Sequence, residues 1–98
     1  MAVAVVMDFE GTLDQYDETC SRMGLTPGGP TPPGALFHFV TPIDGGFRVT
    51  DVWETREAFE QFAQESIGPN AAATGLGPPQ PEYHEVHNHF ILGAPVAQ

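Results

Sequence analysis

His38 and Asp51 stand on either side of an Asp44-Gly45 pair, and that pair decides whether the two can meet. Asp-Gly between two apolar runs is the strongest short signal for a two-residue hairpin turn, whose central residues both take positive φ. With Asp44 and Gly45 as the turn, Ile43 pairs with Gly46. Counting outward sets His38 opposite Asp51 and Leu36 opposite Trp53. Side chains alternate across a strand, so Leu36, His38, Val40, Phe47, Val49, Asp51 and Trp53 share one face. Phe37, Phe39 and Val52 line the other, with Arg48, Thr50 and Glu54. A carboxylate within hydrogen-bond reach of an imidazole fixes its tautomer and orientation, which a general base near neutral pH requires. The chemistry this predicts is proton abstraction, with His38 as base and Asp51 as its orienter. Trp53 would form a pocket wall on which a flat conjugated ligand stacks, with Val49 and Leu36 beside it. The plainer alternative is a pair that satisfies itself inside a packed interface, since buried polar groups need partners. A one-residue slip in register would put the two on opposite faces and remove the site.

The remaining histidines form a second, weaker constellation, His84, His87 and His89. On a strand only His87 and His89 share a face, together with Tyr83 and Glu85, and a metal would need a further ligand. These residues are better read as a polar and aromatic pocket rim, with Tyr83, His87 and His89 as ligand contacts and no metal. Cys20 falls in an apolar helical stripe with Tyr16 and Met23, where a thiol is ordinarily inert core. The Gly28-Gly29 and Gly45-Gly46 pairs precede no helix, so no phosphate loop is predicted.

The elements that must position these residues follow from the pattern. Ala2 to Phe9 is a continuous apolar run and reads as a central strand. Thr12 with Gln15 fits a capping box, and Leu13, Tyr16, Cys20 and Met23 recur at helical spacing up to Gly24. Leu25 to Gly34 carries four prolines and three glycines. It reads as a connector, either a lid over a pocket mouth or a polyproline spacer. Thr55 caps a second helix whose stripe is Ala58, Phe59, Phe62, Ala63 and Ile67, interrupted at Gly68-Pro69, with a short extra turn over 70–74. Glu82 to Leu92 alternates and reads as a last strand, with 93–98 as a tail. Strand, helix, strand, strand, helix, strand is the split βαβ, ferredoxin-like α+β arrangement. It predicts one domain over 1–98 with an antiparallel four-stranded sheet in the order 4-1-3-2. The Leu36–Trp53 face is too apolar to stand in water, which predicts a homodimer burying it.

Thirteen acidic residues against three arginines and no lysine give a formal net charge of −10. That excludes cationic docking to nucleic acid or to an anionic membrane surface. No run approaches the roughly 20 apolar residues of a membrane-spanning helix. A single cysteine and the lack of a basic region before the first apolar run fit a cytoplasmic protein.

The Val-rich first strand, the G-T-L-D-Q-Y-D helix start and above all D-V-W-E-T-R-E-A-F-E-Q-F resemble the dimeric α+β barrel superfamily. The pattern is most similar to small antibiotic-biosynthesis-monooxygenase-like proteins, over about Val3 to Leu92. The resemblance implies a cofactor-free enzyme acting on a hydrophobic aromatic or polyketide-like compound, by oxygenation or by cyclisation and isomerisation. It implies that Trp53 is the pocket tryptophan of the oxygenases. Their asparagine near that tryptophan or on the first strand has no match, since this chain has only Asn70 and Asn88. Haem degraders of the superfamily need a histidine in the helix after the tryptophan, and this helix has none. The runner-up reading is a non-catalytic ligand-binding or structural homodimer of the same fold.

Overall fold

In the computed structural model, which describes residues 1–92, the valine-rich run forms β1 (Val3–Glu10). The predicted tail, 93–98, lies outside the described residues. Thr12 then starts α1 (Leu13–Met23) through a complete capping box. Its Oγ1 accepts from the Gln15 amide at 3.1 Å while its own amide donates to Gln15 Oε1 at 2.9 Å. Gly24 ends the helix in the left-handed conformation, φ 74°. There Leu25 N–H donates to Cys20 O and Gly24 N–H to Ser21 O, the pairing that satisfies otherwise orphaned carbonyls.

The hairpin consists of β2 (Ala35–Ile43) and β3 (Gly46–Trp53). The turn is Asp44-Gly45, with Ile43 facing Gly46 and His38 facing Asp51. Two details differ from the expectation. Only Gly45 takes a positive φ, 77°, so Asp44 is spared the left-handed conformation. The register also shifts between Ala35 and Phe37, so Ala35 rather than Leu36 faces Trp53. Leu36 is the extra residue of a bulge, which bends the strand end where the connector enters. All pairings are antiparallel and the strand order is β2-β3-β1-β4, the same as 4-1-3-2, with the helices on one face. This is the expected α+β, ferredoxin-like fold.

The two sheet faces are exchanged relative to expectation. The face carrying Phe47, Val49, Asp51 and Trp53, with Val5 and Met7 of β1, is covered by the protein's own helices and forms the core. Phe59 is 0% exposed and packs edge-on to Trp53, centroids 5.6 Å apart, and to Tyr83 at 6.0 Å. It does not pack on Phe37 and Phe39, which lie on the open face at 48% and 43% exposure. Both faces of the hairpin are apolar, so hydropathy alone does not choose between them. What decides is β1, whose Val3, Val5, Met7 and Phe9 are the buried alternate positions and share the Trp53 side.

Thr55 caps α2 (Arg56–Phe62), accepting from the Ala58 amide at 3.1 Å. Gly68-Pro69 does not interrupt the helical path. A π turn, Ala63–Ile67, carries it into α3 (Gly68–Ala73). Proline inside an α-helix clashes with the carbonyl four residues back. Here the chain widens just before it, Gly68 N–H reaching back to Ala63 O, and Pro69 sits at the start of α3 where its missing N–H costs nothing. β4 is short, Glu82–Glu85, and does not run to Leu92. Its neighbour, β1, begins at Val3, which pairs with Glu85; beyond the Val86 N–H to Ala2 O bond the described residues offer no strand to pair with. No helix of the described residues is long and apolar enough to cross a membrane.

Candidate functional site

Under α1, on the covered face of the hairpin, four side chains form one hydrogen-bonded chain. His38 Nδ1 lies 2.6 Å from Asp51 Oδ1, and Trp53 Nε1–H donates to Asp51 Oδ2 at 3.1 Å. On the other side of the ring, the Tyr16 hydroxyl lies 2.5 Å from His38 Nε2. The antiparallel register supplies the first contact, since residues facing across two strands bring their side chains together. The second contact is supplied by spacing on one strand, Asp51 and Trp53 being two residues apart on one face. The third comes from α1, whose Tyr16 ring lies parallel to His38 and edge-on to Phe47.

With the His38 ring neutral, the donors and acceptors in this chain leave one consistent arrangement. Indole N–H only donates and a carboxylate only accepts, so both Asp51 oxygens are used as acceptors. His38 therefore carries its proton on Nδ1, and its Nε2 lone pair accepts from the Tyr16 hydroxyl. Asp51 is 5% exposed, whereas the His38 side chain is 43% exposed, so the carboxylate is sealed and the imidazole is within reach of a ligand. Burial pushes the Tyr16 phenol well above the usual tyrosine range, helped by the Cys20 thiol and the nearby carboxylates Asp51 and Asp17. Tyr16 therefore stays protonated and remains a donor. Burial likewise pushes the Cys20 thiol up, against a lowering contact from Tyr16, and disfavours a reactive thiolate.

The chain of side chains lines a cavity of about 880 Å³ between the sheet, α1, the 25–34 connector and the α2–α3 path. That is within the usual size of a small-molecule site. Its wall is mostly apolar and includes Met7, Phe9, Met23, Val40, Phe62 and Ile67. The connector from Leu25 to Pro32 forms one side of it, which is the position a lid would take.

Among the residues expected from sequence, His38, Asp51, Trp53, Val49 and Leu36 all line this cavity. Trp53 does so differently from expectation. It is 2% exposed and packed against Phe59 and Phe62, so its indole holds Asp51 rather than offering a free face. Tyr83, His87 and His89 are elsewhere. Tyr83 faces Val5 on the far edge of the sheet, under the Arg56 guanidinium at 3.9 Å, and donates to Glu60. His87 and His89 are exposed beyond the end of β4, because the alternation that placed them on a rim is not part of a strand. Among the described residues no group of three His, Cys, Asp or Glu side chains is arranged to hold a metal. Tyr16 is the residue that sequence reasoning missed. Its position in the helical stripe reads equally well as core, and only the face exchange turns that stripe toward His38.

No family model and no curated protein matches this chain. Solved structures do. The N63A mutant of SnoaB, a cofactor-independent oxygenase from Streptomyces nogalater, is 20% identical, with 94% of this chain and 97% of that one covered and a TM-score of 0.57. A proposed antibiotic biosynthesis monooxygenase from Chloroflexus aurantiacus is 19% identical, with 93% and 99% covered and a TM-score of 0.58. The haem degrader MhuD from Mycobacterium tuberculosis, with two haems bound in its active site, is 22% identical, with 90% and 98% covered and a TM-score of 0.53. A fold shared by an oxygenase and a haem degrader leaves the reaction to the side chains of each site. The chain shares the α+β, ferredoxin-like fold of these structures.

Proposed function

We propose that the protein is a small cofactor-independent enzyme that removes a proton from a hydrophobic aromatic or polyketide-like compound held in the cavity. The observation that carries this reading is the Tyr16–His38–Asp51 chain, with a sealed carboxylate at one end and an apolar cavity at the other. Because the Tyr16 hydroxyl covers Nε2, the proton leaves the ligand through it. Tyr16 gives its own proton to His38 as it takes the ligand's, and stays neutral before and after. The ligand becomes a carbanion or enolate, and His38 becomes an imidazolium oriented by Asp51.

A carbanion of this kind reacts with dioxygen without a cofactor. At an activated CH₂, one oxygen atom ends in the new carbonyl and the other in water, so carbon is oxidised and O₂ is fully reduced. The redox-neutral alternative open to the same carbanion is ring closure onto an internal carbonyl, and uptake of O₂ separates the two. A dihydroxyanthrone in chelator-treated buffer is the test. The expected result is enzyme-dependent uptake of one O₂ per anthraquinone formed, above the uncatalysed rate. Turnover without O₂ uptake would move the protein to the cyclase or isomerase class. No enzyme-dependent reaction on acidic aromatic C–H compounds would overturn the enzyme reading. The competing reading, a structural homodimer with its pocket filled by its own side chains, is disfavoured by a cavity of this size.

The protein's partner is a second copy of itself, docked through the open face of the sheet. Phe37 and Phe39, 5.8 Å apart, lie exposed on that face beside the half-buried Val6 and Val52. Burying apolar area of this kind contributes about 25 cal/mol per Å². Sedimentation at micromolar concentration is expected to show a dimer, and Phe39→Glu a monomer that keeps its helical content. A monomeric wild type would refute the pairing.

A further inference from the structure

The cavity is distinctive in charge as well as in size. The chain has three basic side chains apart from histidine, and all three are occupied or directed elsewhere. Arg48 is held by both oxygens of Asp8, at 2.7 and 3.0 Å, on the open face of the sheet. Arg56 is held by Glu60 at 3.0 Å and lies over Tyr83. Arg22 is exposed at the end of α1 and does not line the cavity. The acidic groups in the wall are Asp51, with both oxygens already accepting, and Asp17, which is exposed on α1. The Thr19 hydroxyl is also engaged, at 2.7 Å from both Gln15 O and Thr74 Oγ1.

We infer that the substrate is uncharged, a hydrophobic phenol or enolisable ketone without a carboxylate or phosphate, which becomes an anion only at its reacting atom. This rests on the proton-abstraction reading above. A carboxylate entering the cavity would lose water against an apolar wall and find no cation to pair with, facing Asp51, Asp17 and a chain of net charge −10. An ammonium group gains little either, because Asp51 is doubly occupied and Asp17 is exposed to solvent. An anion created in place is in a different position. The proton it gives up makes His38 an imidazolium, so the countercharge appears with the charge and at the same point. The site thereby stabilises the reacting state without attracting substrates that are already anionic, a difference of the kind that raises turnover rather than affinity.

Trp53 reports on this directly, since it is the chain's one tryptophan and lines the cavity. The test uses a matched pair of unreactive ligands, a dihydroxyanthraquinone carboxylate and its methyl ester, titrated near neutral pH with Trp53 fluorescence quenching as readout. The ester is expected to bind at least about tenfold more tightly, or ~1.4 kcal/mol. Thr26→Arg, which adds a cation to the connector side of the cavity wall, is expected to narrow the gap by tightening the acid. Equal or tighter binding of the acid by the wild type would overturn the uncharged-substrate inference and leave the aromatic-ligand reading standing. A preference for the ester that Thr26→Arg leaves unchanged would also overturn it, since the discrimination would then not come from charge. If neither compound quenches Trp53, the aromatic-ligand reading itself fails and the inference falls with it.

Discussion

Replacing His38 by alanine is expected to lower kcat on a dihydroxyanthrone by ~10²–10⁴-fold, the usual contribution of a positioned general base. The loss falls on the chemical step because the substitution removes the group proposed to receive the proton from Tyr16. The apolar wall remains, so an anthraquinone ester should still quench Trp53 in the variant. Single-turnover kinetics and quenching together separate the two effects. A variant that binds and turns over like the wild type would show that the imidazole is a structural partner of Asp51 and nothing more.

The second large effect is on stability. Phe59 is fully buried and is the side chain that joins α2 to both Trp53 and Tyr83. Phe59→Ala should cost about 3–5 kcal/mol, since a ring is deleted where neighbours on a rigid sheet cannot close the gap. Denaturant unfolding followed by Trp53 fluorescence measures this and also reports the change in the indole's surroundings. A loss below about 1 kcal/mol, the scale of surface substitutions, would contradict the packing of Phe59 between the indole and Tyr83.

Element order and the register of the hairpin are both legible in the sequence, for local reasons. A capping box, a left-handed glycine and an Asp-Gly turn act within a few residues, and they set His38 opposite Asp51 without reference to the rest of the chain. What is not legible depends on contacts distant in sequence. The assignment of faces turns on which side β1 buries. Phe37 and Phe39 make the open face look like core, while His38 and Asp51 make the covered face look like an interface. The extent of β4 turns on where its neighbour β1 begins, so the alternating pattern through Leu92 is a true periodicity with no partner strand. The bulge at Leu36 and the π turn ahead of Pro69 are single-residue accommodations that leave no composition signal. Gly46 is readable only in part. The sequence marks it as the residue that follows the turn, yet a Cβ there would stand 1.8 Å from the Phe9 carbonyl oxygen, so β1 is what requires it to be glycine. Tyr16 belongs to the same group, a residue whose meaning depends on which sheet face its helix covers.

Asp51 and Trp53 together force the proton of a neutral His38 onto Nδ1 and leave Nε2 as an acceptor. The most direct test is nitrogen-15 NMR of the imidazole in the wild type and in Asp51→Asn, at a pH where the ring is neutral. Asparagine has one oxygen and one NH₂ group, and the indole N–H of Trp53 can only donate, so the oxygen is taken by Trp53 and the NH₂ faces His38. Nδ1 must then accept, and the proton moves to Nε2. In a Ser-His-Asp triad the same exchange leaves the imidazole in the wrong tautomer and lowers kcat by about 10⁴. The expected result is a protonated Nδ1 in the wild type, an inverted tautomer in Asp51→Asn, and lost turnover with ligand binding retained. A wild-type ring protonated on Nε2, or a tautomer that Asp51→Asn leaves unchanged, would contradict the claim.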